Sequence, residues 1–311
     1  MIAPSIKNNF IFIIYTMELN KIELNKIERY KMGWKFDNIE NISDNENLGI
    51  STEDINIEEK NYELKYDIYD KNKDYFPEIV DQGNIESCVP TCISTVYYYL
   101  TMKQSNHLKF RISRLYLYYQ FRKLYDDVKL DEGSTIRDCI NILHKEGILP
   151  EFLYPYIESK VFNNPTEFLE KYSRFCKCLG FENISRKVIK QKLLLDYPVL
   201  CGIKLFDSVY SDKVKNTGII SYSDEYDKIL GGHCIILVGF DDDKKYYKFI
   251  NSWGSTWGDK GFGYLPYDYI KNIRLSNEFY IIKNISNPSI NLEEVDSVLD
   301  KLKNKFKNIF N

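Results

Sequence analysis

Apolar and polar positions along this chain fall into three textures. From Cys88 the run Val89-Pro90-Thr91-Cys92-Ile93-Ser94-Thr95-Val96-Tyr97-Tyr98-Tyr99-Leu100 is apolar or small on every side. That predicts a buried helix, with Ser87 as its cap and Pro90 accommodated in the first turn. Ser113 to Tyr125 and Thr135 to Glu146 are the next helical candidates. In the second, Ile136, Ile140 and Leu143 recur at three- to four-residue spacing and define an inward face. After Tyr197-Pro198 the period shortens: Val199 to Lys204, Cys234 to Phe240, Tyr246 to Asn251 and Phe279 to Lys283 are short β-rich runs parted by Gly, Asp and Asn, and read as strands.

Both flanks have a different texture. Residues 1 to 74 are rich in Asn, Glu, Lys and Asp, and so polar a stretch cannot bury much surface, so it is read as an N-terminal extension. From Leu292, the positions Leu292, Val295, Val298, Leu299, Leu302, Phe306 and Ile309 fall at helical spacing, with Lys301, Lys303, Lys305 and Lys307 outside the stripe. Residues 286–311 are therefore expected to be an amphipathic helical tail, docked on the protein's own body in preference to a membrane surface.

Composition narrows the function classes. With 311 residues, 44% of them apolar and 15% aromatic, the chain can bury a sizeable core as one two-lobed unit or two domains. A net charge of −3 gives no electrostatic case for nucleic acid as the main partner. Seven cysteines cannot all pair internally and lack the regular spacing of a small disulfide scaffold. This favours an intracellular setting, cytoplasmic or packaged in a virion, over secretion. Sequons at Asn41, Asn183 and Asn284 would matter only in a secretory lumen, and in an Asn-rich chain they read as coincidence. The apolar run Phe10 to Tyr15 is shorter than a membrane span and lacks a small-residue cleavage site, so neither a transmembrane segment nor a signal peptide is expected.

Candidate chemistry sits in a split constellation: Gln82-Gly83-Asn84-Ile85-Glu86-Ser87-Cys88 early, then Gly231-Gly232-His233 and Asn251-Ser252-Trp253-Gly254 late. A thiol is a strong nucleophile only as thiolate, and a nearby cation or helix N-terminus lowers its pKa. His233 can supply the first, and a start of the helix at Cys88 the second. His233 follows Cys88 by 145 residues (233 − 88), and Asn251 follows His233 by 18 (251 − 233). The order Cys, His, Asn at that separation is that of a nucleophile, its base and the group that orients the base. A lone cysteine is more often a buried structural thiol, and a lone histidine a satisfied core residue; their company here argues otherwise. Cys234 beside His233 would point to the opposite strand face, and Cys176-Lys177-Cys178 has no second pair at zinc-site spacing, so neither metal nor cofactor is expected. His107 and His144 read as surface or packing residues.

Through Gln-Gly-x-x-x-Ser-Cys, Gly-Gly-His and the stretch Asn251 to Tyr264 (Asn-Ser-Trp-Gly-Ser-Thr-Trp-Gly-Asp-Lys-Gly-Phe-Gly-Tyr), the sequence resembles the papain family of cysteine peptidases, as a divergent, cathepsin-B-like member. The resemblance runs from about Phe76 to about Ile282. Val89-Pro90 stands where the family has Trp after the nucleophile, and Ile85 where it has a disulfide-forming Cys.

What the resemblance implies is an α+β, papain-like two-lobed fold over 75–285. A helical lobe, about 75–197, would face an antiparallel, β-barrel-like lobe, 198–285, with the cleft between them. It further implies a cysteine endopeptidase acting on polypeptide substrates. Cys88 would be the nucleophile, His233 the general acid and base, and Asn251 the orienting amide under a covering Trp253. The Gln82 side chain and the Cys88 backbone N–H would be the oxyanion donors. Asp131-Glu132-Gly133 resembles the place where the family pairs with an extended substrate, so Glu132, Gly133 and Gly232 are substrate-binding candidates. Glu278 would approach a side pocket and favour a basic side chain there. Residues 1–74 are a candidate pro-region lying along the cleft as an intramolecular inhibitor. Two other classes remain: a catalytically silent papain-shaped binder or virion protein, and a Cys-His isopeptidase or transglutaminase-like acyl transferase, whose third member is usually Asp.

Overall fold

The computed structural model describes residues 30–35, 63–105, 109–170, 173, 176–221 and 228–286. Everything below concerns the compact unit that begins at Lys31. Its axis is helix α1, Cys88–Ser105. Because nearly every side of this helix is apolar or small, it is enclosed: Cys88, Val89, Ile93, Val96, Tyr97 and Tyr99 are all inaccessible to solvent. Pro90 is tolerated at the third helical position because its missing N–H has no intrahelical partner there. The same missing donor leaves a serine cap little to bind, and the Ser87 hydroxyl pairs instead with that of Tyr156 at 2.6 Å.

Helices α2, Arg114–Leu124, and α3, Ile136–Lys145, begin where the capping residues lie: Ser113 accepts from Tyr116 N and Thr135 from Asp138 N. Helix α2 carries a buried cation, Arg122, which donates to the carbonyls of Val128, Leu130 and Val161 and lies 4.4 Å from the centre of the Tyr118 ring. Those acceptors and the ring offset the cost of burying a guanidinium, and they tie the loop after α2 in place.

Strands β1 (Lys65–Asp67), β2 (Cys178–Asn183), β3 (Val199–Phe206), β4 (Ile229–Asp241), β5 (Tyr246–Ile250), β6 (Phe262–Pro266) and β7 (Ser276–Ile285) form one antiparallel sheet. The order is β2-β7-β3-β4-β5-β6. β1 pairs with the far end of β4, Gly239 to Asp241, on the stretch that β3 leaves free beyond Leu237. The long β4 is the spine: it pairs with β3, β5 and β1, and α1 packs on it.

The sheet does not close into a barrel, which corrects the barrel-like lobe anticipated above. Instead of β2, the turn at Gly218–Ile220 reaches the outer side of β6, where Ile220 N and Tyr264 O bond at 3.0 Å. No helix among the described residues is long and apolar enough to cross a membrane. The amphipathic tail, the run Phe10 to Tyr15, His107 and Asn41 lie outside the described residues.

Candidate active site

The two halves of the sequence constellation meet where the start of α1 faces β4. Cys88 is the first residue of α1, and its Sγ accepts from the backbone N–H of Cys234, one residue past His233, at 3.3 Å. His233 sits on β4 opposite Ile203 of β3, and its Nε2 is 2.7 Å from Asn251 Oδ1 at the end of β5. Because an amide oxygen only accepts, this contact fixes the proton on Nε2 and leaves Nδ1 as the unprotonated nitrogen of the neutral ring. Nδ1 is buried and has no hydrogen-bond partner among the described residues. Trp253 stacks on the imidazole at 4.5 Å between centroids and 29° between planes, and Trp257 meets Trp253 edge-on, so the His–Asn bond lies under indole.

A bonded chain joins the orienting amide to the oxyanion candidate. Asn251 Oδ1 also accepts from Ser252 N at 2.8 Å, and the Ser252 hydroxyl donates to Gln82 Oε1 at 2.6 Å. The Gln82 backbone N–H donates to Ser252 O at 2.8 Å. With its oxygen held in this way, Gln82 turns Nε2 toward the cleft. Ser252 was not singled out from sequence, although its place between Asn251 and Trp253 was the available signal.

In this state the pair is neutral. Burial pushes the Cys88 thiol well up from its ordinary value, outweighing the N–H groups of Cys234 and Val89. A helix N-terminus contributes only about 0.3–1 kcal/mol to a charge, so desolvation wins over the expected dipole effect while the thiol stays covered. Burial likewise lowers His233 to about 4, against a smaller upward contribution from Asn251.

The cover is the chain's own segment Lys31 to Lys35. Trp253 Nε1 donates to Lys31 O at 3.0 Å, and Gln82 Nε2 donates to Met32 O at 3.2 Å as well as to Ile85 O at 2.9 Å. The N–H groups of Gly33 and Trp34 both reach Gly232 O at 3.0 Å. Ser134 N donates to Gly33 O and Ser134 O accepts from Lys35 N, a parallel bridge between Trp34 and Ser134. Gly33, at φ 142°, fits only as glycine, since a Cβ would stand 2.1 Å from Glu86 O. The Trp34 indole donates to Glu278 Oε2 at 2.5 Å.

Gly232 and Glu278 thus lie in the cleft, touching the segment. Gly133 supplies the close approach, since its own Cβ would stand 2.1 Å from Gly33 O, but its N–H is taken by Tyr118 OH and the strand-like pairing falls one residue on, at Ser134. Glu132 meets Lys35 at 3.7 Å in an exposed ion pair, worth about 0–1 kcal/mol. His144 is a packing residue, with Nδ1 2.7 Å from Cys178 O and its ring on Phe181. All seven cysteines are buried free thiols.

A cysteine at a helix start, facing a histidine held by an amide across an antiparallel sheet, is the arrangement of the cysteine-protease class of folds. The chain belongs to the papain family of cysteine proteases, whose family model matches residues 65–282. It is 32% identical over 222 residues to an uncharacterized peptidase C1-like protein of Acanthamoeba polyphaga mimivirus, covering 68% of this chain and 71% of that one. A cathepsin B of Dictyostelium discoideum is 30% identical over 153 residues, 42% of this chain and 47% of that one. Among solved structures, xylellain, a cysteine protease from Xylella fastidiosa, matches with a TM-score of 0.67 and 24% identity over 84% of this chain and 99% of its own. A procathepsin B from Trypanosoma congolense matches at 0.60 and 16%, over 89% and 98%. Both share the fold.

Proposed function

We propose that this chain is a cysteine endopeptidase held latent by its own residues 31–35. Once the cleft opens, the Cys88 proton passes to His233 Nδ1, and the thiolate attacks a peptide carbonyl carbon. The resulting oxyanion receives Gln82 Nε2–H and the Cys88 backbone N–H. Imidazolium returns the proton to the leaving amine as the C–N bond breaks. Neutral His233 then takes a proton from water, whose oxygen adds to the thioester and expels the Cys88 thiol. Asn251 keeps Nε2 protonated throughout, so Nδ1 is the nitrogen that cycles.

The observation that carries the reading is that the hydrogen-bonded set His233, Asn251, Ser252 and Gln82 lies with Cys88, whose Sγ accepts from the residue after His233, at a place where a polypeptide already lies. Met32 O occupies the Gln82 donor, so the segment blocks the very groups that hydrolysis needs. The amide Asn251, in place of an acid, favours peptide hydrolysis over transglutaminase-like transfer.

The test is hydrolysis of an unfolded protein by three full-length forms: the natural chain, Trp34→Ala, and Trp34→Ala with Cys88→Ala. Faster hydrolysis by Trp34→Ala, lost with Cys88→Ala, supports both parts. Equal rates in the first two would remove the latency, and no hydrolysis by any form would leave a silent binder.

A further inference from the structure

The two donors assigned to the oxyanion sit at opposite ends of one short turn: Gln82 opens it, and the peptide joining Ser87 to Cys88 closes it. A single hydroxyl, that of Tyr156, bonds to both ends. It donates to Gln82 O at 2.8 Å and lies 2.6 Å from Ser87 Oγ. A phenol has one proton and a carbonyl oxygen only accepts, so the Tyr156 proton goes to Gln82 and the Ser87 hydroxyl is the donor in the second bond. The ring is held in its turn. Arg114, 5% exposed, places its guanidinium 3.9 Å from the ring centre and meets Glu151 through two bonds of 2.8 Å. Ser252 grips Gln82 from the side of the sheet, at its backbone N–H and its side-chain oxygen. Tyr156 grips it from the helical side, at its carbonyl.

We infer that Tyr156 is a positioning residue for the oxyanion site: its hydroxyl sets the distance between Gln82 Nε2 and the Cys88 backbone N–H, so that both reach one oxygen. This rests on reading the cleft as a peptidase site. Such a site works only while its donors are held where the charged oxygen will stand, and a misplacement of about 1 Å can cost about 10²-fold in rate. Glu158 makes the contrast. Exposed, it accepts from Asn84 N at 3.0 Å and from Asn84 Nδ2 at 3.3 Å, at the tip of the turn, and bonds to neither donor residue.

The test is a double-mutant cycle in full-length Trp34→Ala, whose cleft is uncovered, using Tyr156→Phe, Gln82→Ala and the two together. Tyr156→Phe keeps the ring beside Arg114 and removes only the hydroxyl. We expect it to lower kcat about tenfold, the scale of one hydrogen bond, with KM within about twofold. Where Gln82 is already alanine the same change should cost about threefold or less, because a residue that acts through another then has one donor fewer to place. Glu158→Ala should leave kcat within about twofold. An equal loss in both backgrounds, a loss confined to KM, or the same loss in Glu158→Ala would make Tyr156 a general fastener of the turn and overturn the inference, with the peptidase reading intact. If Trp34→Ala hydrolyses nothing, the peptidase reading fails, and the positioning is read by NMR in the natural chain labelled with 15N-glutamine. Solvent exchange of the Gln82 side-chain NH2 should then quicken in Tyr156→Phe, and unchanged exchange would overturn the positioning as well. Should Tyr156→Phe fail to fold, Ser87→Ala cuts the same link from the nucleophile's side and is put through the same cycle.

Discussion

The wall that carries His233 and the segment that covers it are both built from backbone pairing and indole contacts, yet they close their hydrogen bonds in opposite ways. On the wall, His233, Asn251, Ser252 and Gln82 bond to one another in a chain that does not pass through the segment, although Gln82 Nε2 and Trp253 Nε1 also donate to it. The covering segment bonds outward: Met32, Gly33, Trp34 and Lys35 all end on groups that face the cleft. A region satisfied by itself is machinery that persists when its neighbour leaves. A region satisfied only by the site is an occupant, and its removal would leave Gln82 Nε2, Gly232 O and the Ser134 backbone groups open to another polypeptide.

That contrast orders the expected effects. Cys88→Ala strikes the wall's nucleophile and should cost about 10⁶-fold in hydrolysis, while the thermal midpoint stays near that of the natural chain. Gln82→Ala removes an oxyanion donor and should lower kcat by about 10²–10³-fold with little change in KM. It would break the comparison if KM rose instead, since that would make Gln82 part of the occupant's binding site only. Trp34→Ala strikes the occupant and should raise the rate of Cys88 alkylation by about 100-fold, on the scale of the roughly 3 kcal/mol lost when a buried Trp is truncated.

Acid should loosen the cover. His233 is held at about 4 when buried, against 6.5 when solvated, so the open form binds the proton more readily. Stability of the covered state is therefore full above pH 6.5 and falls as pH drops through 6.5 toward 4, by up to about 3 kcal/mol. Cys88 alkylation followed across that range should rise on acidification relative to a free-thiol standard, and the slope should flatten in Trp34→Ala. Lys35→Ala, which removes only the exposed pair with Glu132, should change the alkylation rate by no more than about twofold.

The candidate set that the structure brings together was legible in the sequence because its members stand out by chemistry and by order: a thiol, an imidazole and an amide, with Gly-Gly before the histidine and Trp-Gly after the amide. The three long helices were legible as well, since Ser113 and Thr135 are caps and α1 is apolar all round, and so were β3, β4, β5 and β7 apart from their ends, whereas β1, β2 and β6 carry no run of strand-like residues that stood out. Less could be read where the determinant is spatial. Nothing in the letters near Met32-Gly33-Trp34 shows that an indole 244 residues from Glu278 would donate to it. The direction of the Cys88 shift depends on what covers the thiol, and a helix start alone argued for the opposite sign. Gly133 was the visible feature of its loop, yet the pairing falls on Ser134, because the Gly133 N–H is already held by Tyr118. The sheet stops at β6 because the turn at Gly218–Ile220 takes its outer edge, which strand-like runs do not reveal.

The most direct test of a live site under its own chain is the alkylation rate of Cys88 by an epoxysuccinyl reagent, read by peptide mass in the natural full-length protein and in Trp34→Ala at pH 6.5. The account expects slow modification of the natural chain, a rate about 100-fold higher in the variant, and the label on Cys88 alone among the seven cysteines. Equal rates in the two proteins, or modification spread over other cysteines, would contradict it.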